Sequence, residues 1–91
     1  MNDLEYITNA LDKAEAQTYS YQCPYLALAE VLGFTSSYEA QHLPSHFGRL
    51  SMRKMIMNTG INTKYAQPIY HMLEDGYTLG YIAKYLRAEF G

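Results

Sequence analysis

YLALAEVLGFTSSYEAQHLPSHFG, residues Tyr25–Gly48, reads as two helices about a tight turn. Pro24 suits the first turn of the leading helix, where its missing N–H is no loss. Tyr25, Leu28, Val31 and Leu32 recur on one face and are expected in the core. Gly33 is placed to end the helix in a left-handed conformation, with Phe34 as the apolar partner across the cap. Ser36 followed by Glu39 has capping-box spacing and opens a second, short helix through about Leu43. Pro44 disfavours helical geometry at Leu43 and ends the run there.

Helical signals continue on both sides. Asn2 and Glu5 form another capping box, and Leu4, Ile7, Leu11 and Ala14 make an apolar stripe with Asp12 and Glu15 turned away. Beyond the central stretch, a helix is expected from about Leu50 to Thr59, closed by Gly60. Asn62 or Thr63 is placed to cap the next one. Pro68 either kinks that helix or begins a new one. Gly76 is a stop, and Thr78 caps a last helix with Leu79, Ile82, Ala83, Leu86 and Phe90 on its inner face. No segment alternates as a strand does. The expected fold is all-α, a compact bundle of five or six short helices in a single domain, residues 1–91. Leu28, Val31, Leu32, Phe34, Ile56, Leu73, Ile82 and Leu86 are its expected core. A Leu32→Ala change there carries an expected cost of about 2–5 kcal/mol.

A chain of 91 residues buries only about 60–65% of its unfolded surface, so association with a second copy is a natural support. The sole cysteine, Cys23, has no internal partner, which fits a reducing compartment. No signal-peptide pattern opens the chain and no apolar run reaches membrane-span length, so a cytoplasmic location without membrane contact is expected. The net charge of −2 is unevenly spread. After Glu39 no acid occurs until Glu74, and Arg49, Arg53, Lys54 and Lys64 lie between, with His42, His46 and His71. That window predicts a local positive face on a mildly acidic protein.

The run AEVLGFTSSYEAQHLPSHFG resembles part of an arabinose-regulator-type helix-turn-helix through Ala29, Leu32, Gly33, Phe34 and Phe47. EDGYTLGYIAKYL is similar to the opening helices of many bacterial helix-turn-helix domains, through Gly76, Thr78, Ile82, Ala83 and Leu86. The resemblance implies a helix-turn-helix-like core and a small regulator that binds nucleic acid. Ser37, Tyr38 and Gln41 on the second helix would then meet bases, while Arg49, Arg53, Lys54 and Lys64 hold phosphates. The alternative class is a protein-binding modulator or inhibitor of the phage or mobile-element type, its basic face set against an acidic protein partner.

Signals for chemistry are sparse. Glu39, His42 and His46 offer metal-ligand residue types, but Pro44 interrupts the helix that would align the two histidines, and no fourth ligand is evident. Cys23 has no adjacent cation to activate it. No phosphate loop or nucleophile elbow is present. The chain is expected to be non-enzymatic, with no cofactor and no metal. Its ten tyrosines need a different account. Tyr77, Tyr81 and Tyr85 fall at i, i+4 and i+8, a strip beside the buried face of the last helix. Tyrosine is amphipathic and has few torsions to order, so this strip is the expected partner interface, including that of a homodimer.

Overall fold

A computed structural model of the chain describes residues 2–17, 24–33 and 56–91, and all regular structure among them is α-helical. Helix α1 spans Asp3–Ala16 and α2 spans Pro24–Val31. Residues 56–58 are helical and close at Gly60. Helix α3 then spans Thr63–Glu74 and α4 spans Leu79–Phe90. The fold is an all-α bundle. The expected second helix from Ser36 to Leu43, the Phe34 cap contact and the Tyr25 side chain lie outside the described residues.

Local sequence sets the helix ends. The Asn2 side chain accepts from the Glu5 N–H at 3.0 Å, and the Asn62 side chain accepts from the Lys64 N–H at 3.0 Å. Thr78 Oγ1 accepts from the Tyr81 N–H at 3.1 Å. Each cap satisfies one of the donors that a helix start leaves without a partner. Gly33, Gly60 and Gly76 all sit at positive φ, 84°, 78° and 92°, where a side chain would be strained. Thr59 supports the Gly60 turn by donating from Oγ1 to the Ile56 carbonyl at 2.6 Å.

Helix α1 is the hub of the described packing, meeting α2 on one side and α4 on another. Ile7, Leu11 and Ala14 of α1 are fully buried, as are Leu79, Ile82, Ala83 and Leu86 of α4. The two apolar stripes close on one another at helical spacing. Thr8 is the buried polar residue of α1, and its hydroxyl donates to the Leu4 carbonyl at 2.7 Å. On the rim of the seam, Arg87 Nη1 pairs with Asp12 Oδ2 at 2.7 Å. At the opposite corner, the Asn62 N–H donates to Asp3 Oδ2 at 3.0 Å, tying the start of α3 to the start of α1.

The expected core needs one correction. Leu28, Ile56, Leu73, Ile82 and Leu86 are buried, but Val31 and Leu32 are only partly so. In α2 the four consecutive residues Leu26, Ala27, Leu28 and Ala29 are buried instead. Four consecutive residues run round most of the helix circumference, so α2 is enclosed on nearly all sides. Leu32 follows the last helical residue and sits in the turn, at the margin of the core. Truncating Leu32 therefore costs less than truncating Leu28.

Candidate docking groove

The end of α3 and the start of α4 are welded by a Schellman turn. The Gly76 N–H donates to the Leu73 carbonyl at 3.1 Å, and the Tyr77 N–H donates to the Met72 carbonyl at 3.0 Å. This motif brings the side chain after the glycine back against the one three positions inside the helix end. Tyr77 and Met72 accordingly line the same surface. Thr78 then starts α4 at once, and one tyrosine per turn follows. Leu79, Ile82, Ala83 and Leu86 occupy the buried face, so Tyr77, Tyr81 and Tyr85 are left on another, 45%, 51% and 37% exposed. The Tyr77 and Tyr81 rings stack with centroids 4.9 Å apart and planes 19° from parallel.

Opposite the tyrosines stands one face of α3. Lys64, Gln67, Pro68, His71, Met72 and Asp75 recur at i, i+3, i+4, i+7, i+8 and i+11, a single stripe along the helix. The two walls enclose an open groove of about 760 Å³. Tyr65 and Phe90 meet edge to face at 5.1 Å. That contact joins the first turn of α3 to the last of α4, so the pair runs antiparallel. Ile69, Tyr70 and Leu73 on the inner side of α3 are buried and fix which face looks outward.

Pro68 lies inside α3 rather than dividing it. Having no N–H, it leaves the Lys64 carbonyl without its i+4 donor, and that carbonyl belongs to a groove-lining residue. The groove is polarised along its length. Lys64, in the first turn of α3, and Asp75, its C-cap, are eleven residues apart, about 16 Å along the helix axis. Both are exposed. The Lys64 ammonium lies 5.1 Å from the centroid of the Tyr65 ring, within cation–π range. Asp75 caps the other end, its N–H donating to the His71 carbonyl. The helix macrodipole adds positive potential at the Lys64 end and negative potential at the Asp75 end.

Of the residues expected to act, Lys64, Tyr77, Tyr81 and Tyr85 come together on this groove. Ser37, Tyr38, Gln41, Arg49, Arg53 and Lys54 lie outside the described residues, as do Cys23, Glu39, His42 and His46. The α3 wall does not stand out in the sequence. Its signal is present as the Lys64-to-Asp75 recurrence, but mixed polarity hides it from a search for apolar stripes. Among the described residues no three His, Cys, Asp or Glu side chains are grouped to hold a metal ion. No described helix is long and apolar enough to cross a membrane. No family model matches the chain, and no curated protein or solved structure matches it either.

Proposed function

We propose that this chain is a small non-catalytic regulatory module that acts by docking a protein in the α3–α4 groove. The observation that carries the reading is the convergence of three partly exposed tyrosines with the α3 stripe on one concave surface. Tyrosine binds with large area and little ordering cost, and such residues dominate interface energetics when they line a pocket. The groove's charge supports a protein partner over a phosphate backbone. Among the described residues, Lys64 and Asp75 give it one full charge of each sign, whereas backbone binding calls for a run of cations.

A displayed peptide library panned on the wild-type chain, with counter-selection on Tyr81→Ser, tests this. Peptides binding the wild type at least about 30-fold more tightly, the effect of losing one anchor of about 2 kcal/mol, are the expected result. A library that enriches nothing dependent on Tyr81 would remove the reading.

A second reading is the helix-turn-helix-like nucleic-acid module, with Ser37, Tyr38 and Gln41 at bases and Arg49, Arg53, Lys54 and Lys64 on phosphates. One observation favours it: Lys64, exposed on the first turn of α3, lines the same groove as a stacked tyrosine pair of the kind on which bases also stack. Under this reading Arg53→Ala weakens binding to duplexes of any sequence and lowers the salt slope by about one unit. A gel-shift series with random duplex at low and high salt separates the two.

A further inference from the structure

The two halves of the groove differ in chemistry. Helices α3 and α4 run antiparallel, with Tyr65 against Phe90. Counted from that contact at equal rise, Tyr85 comes level with about Tyr70 and Tyr81 with about Glu74. The tyrosine strip therefore flanks the C-terminal half of the α3 wall, where His71, Met72 and Asp75 line the groove. The N-terminal half, with Thr63, Lys64 and Gln67, lies beyond the strip.

We infer that the tyrosine half of the groove is a subsite for a cationic side chain, an arginine of the docked protein. The inference rests on the groove being a protein-docking surface and specifies what it docks. The Asp75 carboxylate is exposed and forms no ion pair among the described residues. It stands at the C-terminal end of α3, where the helix macrodipole adds negative potential. Beside it Tyr77 and Tyr81, stacked at 4.9 Å, offer the outer faces of electron-rich rings, to which a cation is attracted. The Met72 thioether adds a soft, polarisable wall. An anion is repelled by the carboxylate and the dipole, and a neutral apolar side chain leaves both unanswered. Of the two strongly basic side chains, the surface favours arginine. A planar guanidinium can lie flat on the outer face of the stack while its edge donates two N–H bonds to a carboxylate. A lysine ammonium is a strongly hydrated point charge that offers neither contact. The nearby lysines do not cancel the site. Lys84 does not line the groove, and Lys64 stands about 16 Å off along α3, twice the screening length of about 8 Å at physiological salt.

The test is a titration of the isotope-labelled full chain with Nα-acetyl-arginine methylamide, followed by its amide signals. The citrulline analogue, a neutral isostere, and the lysine analogue are run beside it. The arginine probe should bind in the millimolar range and move the signals of Met72, Asp75, Tyr77 and Tyr81. The citrulline probe should bind about tenfold more weakly and the lysine probe about threefold more weakly. Asp75→Asn should weaken arginine binding about tenfold and leave citrulline binding unchanged. Asparagine suits a helix C-terminus, so helical signal and melting temperature, measured first, should match the wild type. Glu74→Gln removes the same charge one residue away, at an exposed position outside the groove lining. It should leave arginine binding within about twofold, beyond the reach of a specific contact. Equal binding of the arginine and citrulline probes, or no binding of either, overturns the inference without any variant having to fold. So do signals that move elsewhere on the chain, a lysine probe bound as tightly as arginine, or equal losses in Asp75→Asn and Glu74→Gln. If any of these happens while panning still recovers Tyr81-dependent peptides, the docking surface stands and only the chemistry assigned to it is wrong.

Discussion

Helix α4 takes part in two contacts of opposite character. Against α1 it closes a seam of aliphatic side chains, Leu79, Ile82, Ala83 and Leu86 meeting Ile7, Leu11 and Ala14 with no exposure left. Against α3 it leaves an open groove walled by tyrosines, of which Tyr81 stays 51% exposed. Ile82 and Tyr81 are neighbours in sequence, yet one lies in the core and the other in solvent. Branched and small side chains interdigitate until water is excluded. A tyrosine hydroxyl must keep a polar partner or water, which holds its ring at the boundary. The first contact is built for stability and the second is available for binding.

The largest effect should come from breaking the seam. Ile82→Ala is expected to lose about 2–5 kcal/mol in denaturant unfolding, a serious fraction of a small domain's margin. Its neighbour Tyr81→Ala should stay within about 0.5 kcal/mol of the wild type, as for a surface change. A Tyr81→Ala loss comparable to that of Ile82→Ala would mean that the groove is core after all. Next comes Pro68→Ala, which restores the ladder donor to the Lys64 carbonyl and should stabilise the chain by up to about 3 kcal/mol. No gain in thermal unfolding would show that α3 already accommodates the missing bond without cost.

Smaller effects sharpen the picture. Thr78→Ala removes the cap on α4 and should cost about 1 kcal/mol, read from the denaturation midpoint at unchanged m-value. The Arg87–Asp12 pair is nearly half exposed on both sides. Its coupling in a double-mutant cycle should be under about 1 kcal/mol and should fade in salt. Coupling that survived high salt would make this clamp part of the seam rather than its rim.

Features that depend on a few neighbouring residues were legible in the sequence. The Asn2 and Thr78 caps and the Gly33, Gly60 and Gly76 stops are written within five residues of where they act, and all are found as expected. The α4 stripe was legible because its period is clean. Pro68 was ambiguous because a proline lowers helix propensity locally while packing on both sides of it decides the outcome. The burial of α2 on nearly every side was not legible, since periodicity cannot register a helix without a polar face. The tyrosine strip was visible, but its opposite wall was not. Gln67, Pro68, His71, Met72 and Asp75 gain their meaning from the antiparallel pairing of α3 with α4, which no local pattern announces.

The hydrogen bond from Arg87 Nη2 to Asn9 Oδ1 spans 78 positions of sequence, and with it the whole α1–α4 seam joins segments made far apart in time. At translation rates of about 5–20 residues per second, α1 waits on the order of 4–16 seconds after its own synthesis before α4 exists to cover it. During that interval Ile7, Leu11 and Ala14 form a bare greasy stripe on a helix too short to hold itself together in water. The nascent chain therefore offers chaperones and proteases a target that the finished protein hides. A message broken before Leu79 should yield a product that is degraded or aggregates, whereas full-length chains escape once the seam snaps shut.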